Sequence, residues 1–132
     1  MTESGPSAAE ALARLRLART EGIGPLTFRR LVERTGSARA ALAALPGYSA
    51  RREAPFAPPP EETIRREMDA VIRLGGRFLH LGAPGYPPLL ALAEDAPPVL
   101  AMLGDPAALA RPAVALVGAR NASAAGRRIA EA

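Results

Sequence analysis

The stretch VALVGARNASAAG at residues 114–126 decides the fold class of this chain. It opens with an apolar run, which is typical of a strand buried on both faces of a parallel sheet. A glycine and small polar residues follow, and then an alanine-rich segment with good helix propensity. The pattern predicts a strand at 113–117, a tight loop, and a helix that begins near residue 123. Strand–loop–helix is the unit from which α/β domains are built.

The loop after this strand combines features of an anion site. A helix N-terminus offers unpaired N–H groups and a partial positive charge. Gly118 permits a sharp turn, Ser123 is placed to cap the helix, and Arg120 carries a guanidinium that suits phosphate geometry. Gly126 is expected to let the helix pack closely on the sheet. An ordinary strand-to-helix connection with a surface arginine is the alternative interpretation.

Enzyme chemistry has little support in this sequence. Arg120 stands where the dinucleotide fingerprint G-x-G-x-x-G has its second glycine, so the spacing favours a phosphodiester over NAD. His80 is the only histidine and there is no cysteine, and we find neither a metal-ligand cluster nor a Ser–His–Asp pattern in the sequence. We expect no cofactor, no metal and no catalysis, and we interpret His80 as a core histidine with its hydrogen bonds satisfied.

The pattern of residues 8–74 predicts a small helical domain. A second feature, Gly22-Ile23-Gly24, separates its first two helices and resembles a helix-hairpin-helix turn, whose glycine N–H groups can face a DNA phosphate. A plain helix–helix turn is the alternative. A proline-rich stretch at 46–60 predicts a loop, and residues 1–7 predict a disordered N-terminus. The predicted helices are 8–20, 25–35, 38–45 and 61–74.

The sequence pattern changes after residue 76. Short apolar runs at 77–81 and 99–103 predict two further strands, so 76–132 is expected to open a parallel α/β domain. The last strand–loop–helix has no following strand, which predicts that this domain is incomplete in the chain.

The bulk properties agree with a soluble protein that meets a polyanion. Seventeen basic residues, all arginine, face thirteen acidic ones, and the net charge of +4 with a pI near 10.9 mildly favours nucleic acid. The sequence has neither a signal peptide nor an apolar run of membrane-spanning length. We therefore expect a cytoplasmic location and no membrane.

Four pieces in one order and spacing resemble the DNA-processing protein A (DprA/Smf) family. They are GYPPLL at 85–90, DAPPVL at 95–100, Gly104-Asp105, and VGARNAS at 117–123. The upstream helices are similar to the family's sterile-alpha-motif-like or helix-hairpin-helix-like domain. The resemblance implies a truncated Rossmann-like domain after them, and a non-enzymatic role in natural transformation and competence.

The resemblance also implies partners and site residues. The family binds single-stranded DNA in a basic pocket, helps to load RecA and forms homodimers. Its Gly-Ser-Arg turn supplies a phosphate-contacting arginine; here the turn is Gly118-Ala119-Arg120, with Ala119 for serine. Asn121 and Ser123 are candidates for backbone contacts, and Gly22 and Gly24 for helix-hairpin-helix contacts. The RecA and dimer surfaces are expected to lie outside this chain.

The sequence also allows three other hypotheses. A fragment of a nucleotide-hydrolysing Rossmann enzyme predicts acidic catalytic residues after a further strand. A helical protein-interaction module predicts a protein partner and no salt-sensitive DNA affinity. An inactive, truncated product predicts an unpaired apolar sheet edge.

Overall fold

The computed structural model describes residues 4–132, in which six α-helices and two strands form. Residues 1–3 of the predicted disordered N-terminus lie outside the described residues. Residues 4–7 precede the first helix, and Ser7 caps it by accepting a hydrogen bond from Glu10 N at 3.2 Å. In chain order the elements are α1 Ala8–Ala18, α2 Pro25–Thr35, α3 Ala38–Ser49, α4 Glu61–Arg73, β1 Arg77–His80, α5 Pro88–Ala91, β2 Val99–Met102, a 3-10 helix Pro106–Ala110, and α6 Ala124–Glu131.

Helices α1, α2 and α3 enclose the first core cluster. The apolar side of α2 faces this core, since Phe28 and Leu31 are both buried. Gly36 ends α2 in the left-handed region at φ +87°, where its N–H donates to Val32 O. Ser37 then caps α3, because its hydroxyl oxygen accepts a hydrogen bond from Ala40 N at 3.0 Å. These two residues therefore end α2 and begin α3 without a longer loop between the helices.

Helix α3 continues past the point where a loop was predicted. The proline-rich loop was expected to span 46–60, but the helix includes Pro46 and ends at Ser49. A proline inside a helix removes one backbone hydrogen bond. Burial of the following turn offsets that cost: Tyr48 packs on the core, and the buried Ser49 hydroxyl accepts from Phe56 N at 3.0 Å. Tertiary packing thus overrides the local preference.

The two strands form an antiparallel pair, so the expectation of a parallel sheet is wrong for them. Arg77 faces Met102 at one end of the ladder, and His80 faces Val99 at the other. Parallel pairing needs a crossover connection, usually a helix, that returns the chain to the end of the sheet at which the first strand began. Residues 81–98 instead form turns and the one-turn helix α5. They bring the chain straight back, so that β2 lies beside β1.

This hairpin packs on the helical part of the chain. Leu12 and Leu15 of α1, Ile64 of α4 and Val99 of β2 form a second buried cluster, with Phe78 of β1 packed against it. Helix α1 therefore contributes to both clusters, one on each side of its axis. The start of the predicted α/β region and the helices share a common core.

The third predicted strand does not form. Residues 113–117 adopt no regular structure and pair with no strand in the described chain. The exposed fractions are 88% for Val114 and 96% for Val117. A strand needs a neighbour to satisfy its backbone N–H and C=O groups, and none lies beside this segment. The apolar sequence is present, but the ladder that would make it a strand is not.

A polar junction holds β1 against α1. Arg14 Nη1 donates to Leu81 O at 3.2 Å, and Glu10 Oε1 lies 3.5 Å from Arg14 Nε. His80 beside them is buried, and its Nδ1 has no hydrogen-bond partner among residues 4–132. The expectation of a core histidine is confirmed for its burial, but the expectation that its hydrogen bonds are satisfied is wrong for Nδ1.

This junction predicts a loss of stability in mild acid. Burial, and next the Arg14 guanidinium, lower the pKa of His80 below its ordinary value near 6.5, while the Glu10 carboxylate opposes the shift. Above pH 6.5 the histidine is neutral in the folded and unfolded chain alike. Below it the unfolded chain binds the proton more readily, so stability falls as the pH drops from 6.5 towards the lower folded pKa.

Urea unfolding followed by circular dichroism between pH 8 and pH 5 measures this dependence. The free energy of unfolding is expected to be flat above pH 6.5 and to fall below it in the natural chain. His80→Gln is expected to flatten the curve between pH 6.5 and pH 5. An equal slope in both proteins would contradict the assignment.

Candidate phosphate-binding site

The N-terminus of α6 presents unpaired backbone donors. Ser123 caps this helix as predicted, because its Oγ accepts from Gly126 N at 3.1 Å and its carbonyl accepts from Arg127 N at 3.0 Å. The N–H groups of Ala124 and Ala125 take part in none of the hydrogen bonds found in the described chain. Two donors at the positive end of a helix are thus left to solvent or to an anion.

The loop before α6 is open on its outer side. Gly118, Arg120, Asn121 and Ser123 are all exposed, and the chain bends at Arg120 and Asn121. A Cβ placed on Gly118 would meet no atom within 4 Å, so internal packing does not require a glycine there. The structure places the four candidate residues in one exposed loop, with room for a ligand to approach.

The expected packing of Gly126 on a sheet is wrong in this structure. A Cβ at Gly126 would lie 3.4 Å from Ser123 Oγ and 3.8 Å from Ala122 Cβ, both in its own turn. Ile129, the apolar residue of α6, is 73% exposed. Since residues 113–117 form no sheet, the helix has no apolar surface to cover.

The electrostatics of this segment are one-sided. Residues 106–132 contain four arginines and a single acid, Glu131. None of the four salt bridges found in the described chain involves this segment. Two of the arginines, Arg127 and Arg128, follow the unpaired N–H groups within the first two turns of α6. This pair was not among the predicted site residues, although two adjacent arginines after a helix cap are visible in the sequence.

The second candidate, the turn between α1 and α2, is built around Gly22. This residue has φ +82°, a conformation that glycine adopts without strain. Ile23 points into the first core cluster, and its N–H donates to Thr20 O. Gly24 precedes α2 as a cap without a side chain, and a Cβ there would meet no atom within 4 Å. The structure thus has the short glycine turn between two helices that the sequence predicted.

The two glycines of this turn differ in access. A Cβ at Gly22 would lie 3.4 Å from Phe56 Cε1 and 3.7 Å from Arg52 Nη2. Arg52 in turn lies over the Phe56 ring, 4.3 Å from its centroid. The loop between α3 and α4 therefore covers Gly22 with a ring and a cation, while Gly24 stays open.

No group of three or more histidine or acidic side chains between residues 4 and 132 could hold a metal ion. No helix there is both long and apolar enough to cross a bilayer.

Comparison with protein families defines the class. A family model described as a DprA-like N-terminal HHH domain matches residues 8–70, and one described as DNA recombination-mediator protein A matches residues 77–132. These two matches, in this order, identify a DNA recombination mediator with a helical N-terminal part. The chain belongs to the DNA-processing protein A family. No curated protein matches it.

Proposed function

We propose that this chain binds the backbone of single-stranded DNA through residues 118–128, and that it assists RecA loading during homologous recombination in natural transformation. The observation that carries the proposal is the α6 N-terminus, where two unpaired N–H groups lie among exposed arginines. The family's role as a recombination mediator supplies the context.

The mechanism is electrostatic. A phosphate oxygen accepts hydrogen bonds from the N–H groups of Ala124 and Ala125, and the Arg120 guanidinium binds a second oxygen through its forked donors. Gly118 keeps side-chain atoms away from the approaching backbone, and Asn121 and Ser123 offer polar atoms beside it. Such contacts hold DNA without reading its bases.

The turn at Gly22 and Gly24 is proposed as a weaker, second contact with the DNA backbone. Arg52 supports it, because this guanidinium is held on the Phe56 ring next to the turn. A phosphate there would meet the Gly24 N–H and one cation, against three cations near the α6 N-terminus.

Two partners, RecA and a second copy of the chain, are part of the proposal because of the family resemblance. So are a Rossmann-like arrangement for residues 76–132 and a cytoplasmic location. A cofactor is not part of the mechanism, since electrostatic holding of a phosphodiester needs none.

An NMR titration of the isotope-labelled chain with unlabelled oligo-dT tests where the DNA sits. Amide signals of residues 118–126 are expected to shift progressively, with smaller shifts at residues 22–26. Inorganic phosphate at equal charge concentration is the control, because a generic anion effect would reproduce the shifts. Saturable DNA binding with no shift at 118–126 would overturn the proposed site.

A further inference from the structure

A groove of about 590 Å³ lies between α1, α3 and the start of α4, away from the proposed DNA site. Its floor is apolar and made of small side chains: Ala9 and Ala13 of α1, and Ala43 of α3 line it, together with Leu12 and Leu42. Small residues leave a hollow because their side chains end near the helix backbones. The volume of the hollow lies in the range that is usual for ligand pockets.

The rim of this groove is basic. Arg16, Arg39 and Arg65 line it with a single acid, Glu61. Glu61 pairs with Arg65 at 2.5 Å. The other two rim charges, on Arg16 and Arg39, therefore have no acidic partner on the rim. A rim of this kind repels cationic segments and attracts acidic ones.

Two of the rim positions are fixed by the fold. Arg16 Nε donates to Pro59 O at 2.7 Å, which holds this side chain against the loop that leads into α4. The backbone N–H of Arg39 donates to Glu10 Oε2 at 3.3 Å, which ties the start of α3 to α1. The Arg39 guanidinium has no partner among residues 4–132 and is free to meet a ligand.

We propose that this groove docks an acidic peptide segment of a partner protein, with apolar side chains on the floor and carboxylates on the arginine rim. A peptide fits better than nucleic acid, because a phosphodiester backbone could use only the arginine rim, and the apolar floor carries no aromatic ring on which a base could stack. The floor of methyl and leucine groups instead matches leucine or isoleucine side chains. The proposal does not rest on the DNA-binding role.

Fluorescence anisotropy with a labelled peptide, in which glutamates flank a pair of leucines, tests the proposal. Saturable binding at low salt is expected, with loss of binding when glutamine replaces each glutamate in the peptide. Arg39→Gln is expected to weaken binding several-fold. Ala43→Glu, which places a carboxylate in the groove, is expected to weaken it by at least about tenfold.

Two controls make the result decisive. Arg66→Gln removes an exposed α4 charge outside the groove and is expected to leave peptide binding unchanged, and circular dichroism verifies that each variant is folded. Absence of saturable binding, or equal binding by Ala43→Glu, would overturn the proposal. It would also be overturned if Ala43→Glu weakened oligo-dT binding instead, since the groove would then be a nucleic-acid surface.

Discussion

Leu17→Ala is expected to destabilise the chain by about 2–5 kcal/mol, the range for a leucine truncated inside a tight core. Leu17 is fully buried, with an exposed fraction of 0%, and it belongs to the cluster that joins α1, α2 and α3. The deletion leaves a cavity that neighbouring helices fill only in part. Since domains of this size are stable by about 5–15 kcal/mol, the loss is a large share of the total.

Urea unfolding followed by circular dichroism measures this effect. Leu89→Ala is the matched control, because Leu89 is 83% exposed in α5 and its truncation opens no cavity. Its free energy of unfolding is expected to stay within about 0.5 kcal/mol of the natural chain. A loss at position 17 no larger than that of the control would mean that this core is not packed as described.

Local signals predicted the helical part of the fold well. The bounds of α2 match the sequence prediction, because a proline at its start and Gly36 at its end are both readable punctuation. Pro46 was misleading, because the burial of Tyr48 and Ser49 comes from tertiary contacts that no local pattern contains.

The α/β part was harder to predict for a physical reason. The apolar pattern of a strand indicates which of its side chains can be buried. Whether the strand forms depends on a partner strand that is distant in the sequence. Residues 113–117 have the pattern and no neighbour in the described chain, whereas β1 and β2 found each other in antiparallel register.

The cap of α6 could be predicted from the sequence because it depends on local chemistry. The cap at Ser123 follows from residue type and position, and the structure shows the same hydrogen bond to Gly126 N. The cover that Phe56 and Arg52 place on Gly22 was not readable, since it brings together residues separated by a whole helix.

Removing three arginines at once is the change with the largest expected effect on function. A chain with Arg120→Gln, Arg127→Gln and Arg128→Gln loses the exposed cations around the α6 N-terminus. Each phosphate contact on single strands contributes about 0.7 to the slope of log K against log salt concentration. The slope is therefore expected to fall by roughly two, with little effect on folding, because these side chains are solvent-exposed.

Fluorescence anisotropy of labelled oligo-dT across a salt series compares this variant with a matched one. Arg66→Gln, Arg73→Gln and Arg77→Gln together remove the same net charge from exposed positions of α4 and β1. If residues 118–128 hold the DNA backbone, the first variant loses most of the affinity and about two units of slope, while the second stays close to the natural chain. Equal losses in both variants, or an unchanged slope in the first, would contradict a DNA site at the start of α6.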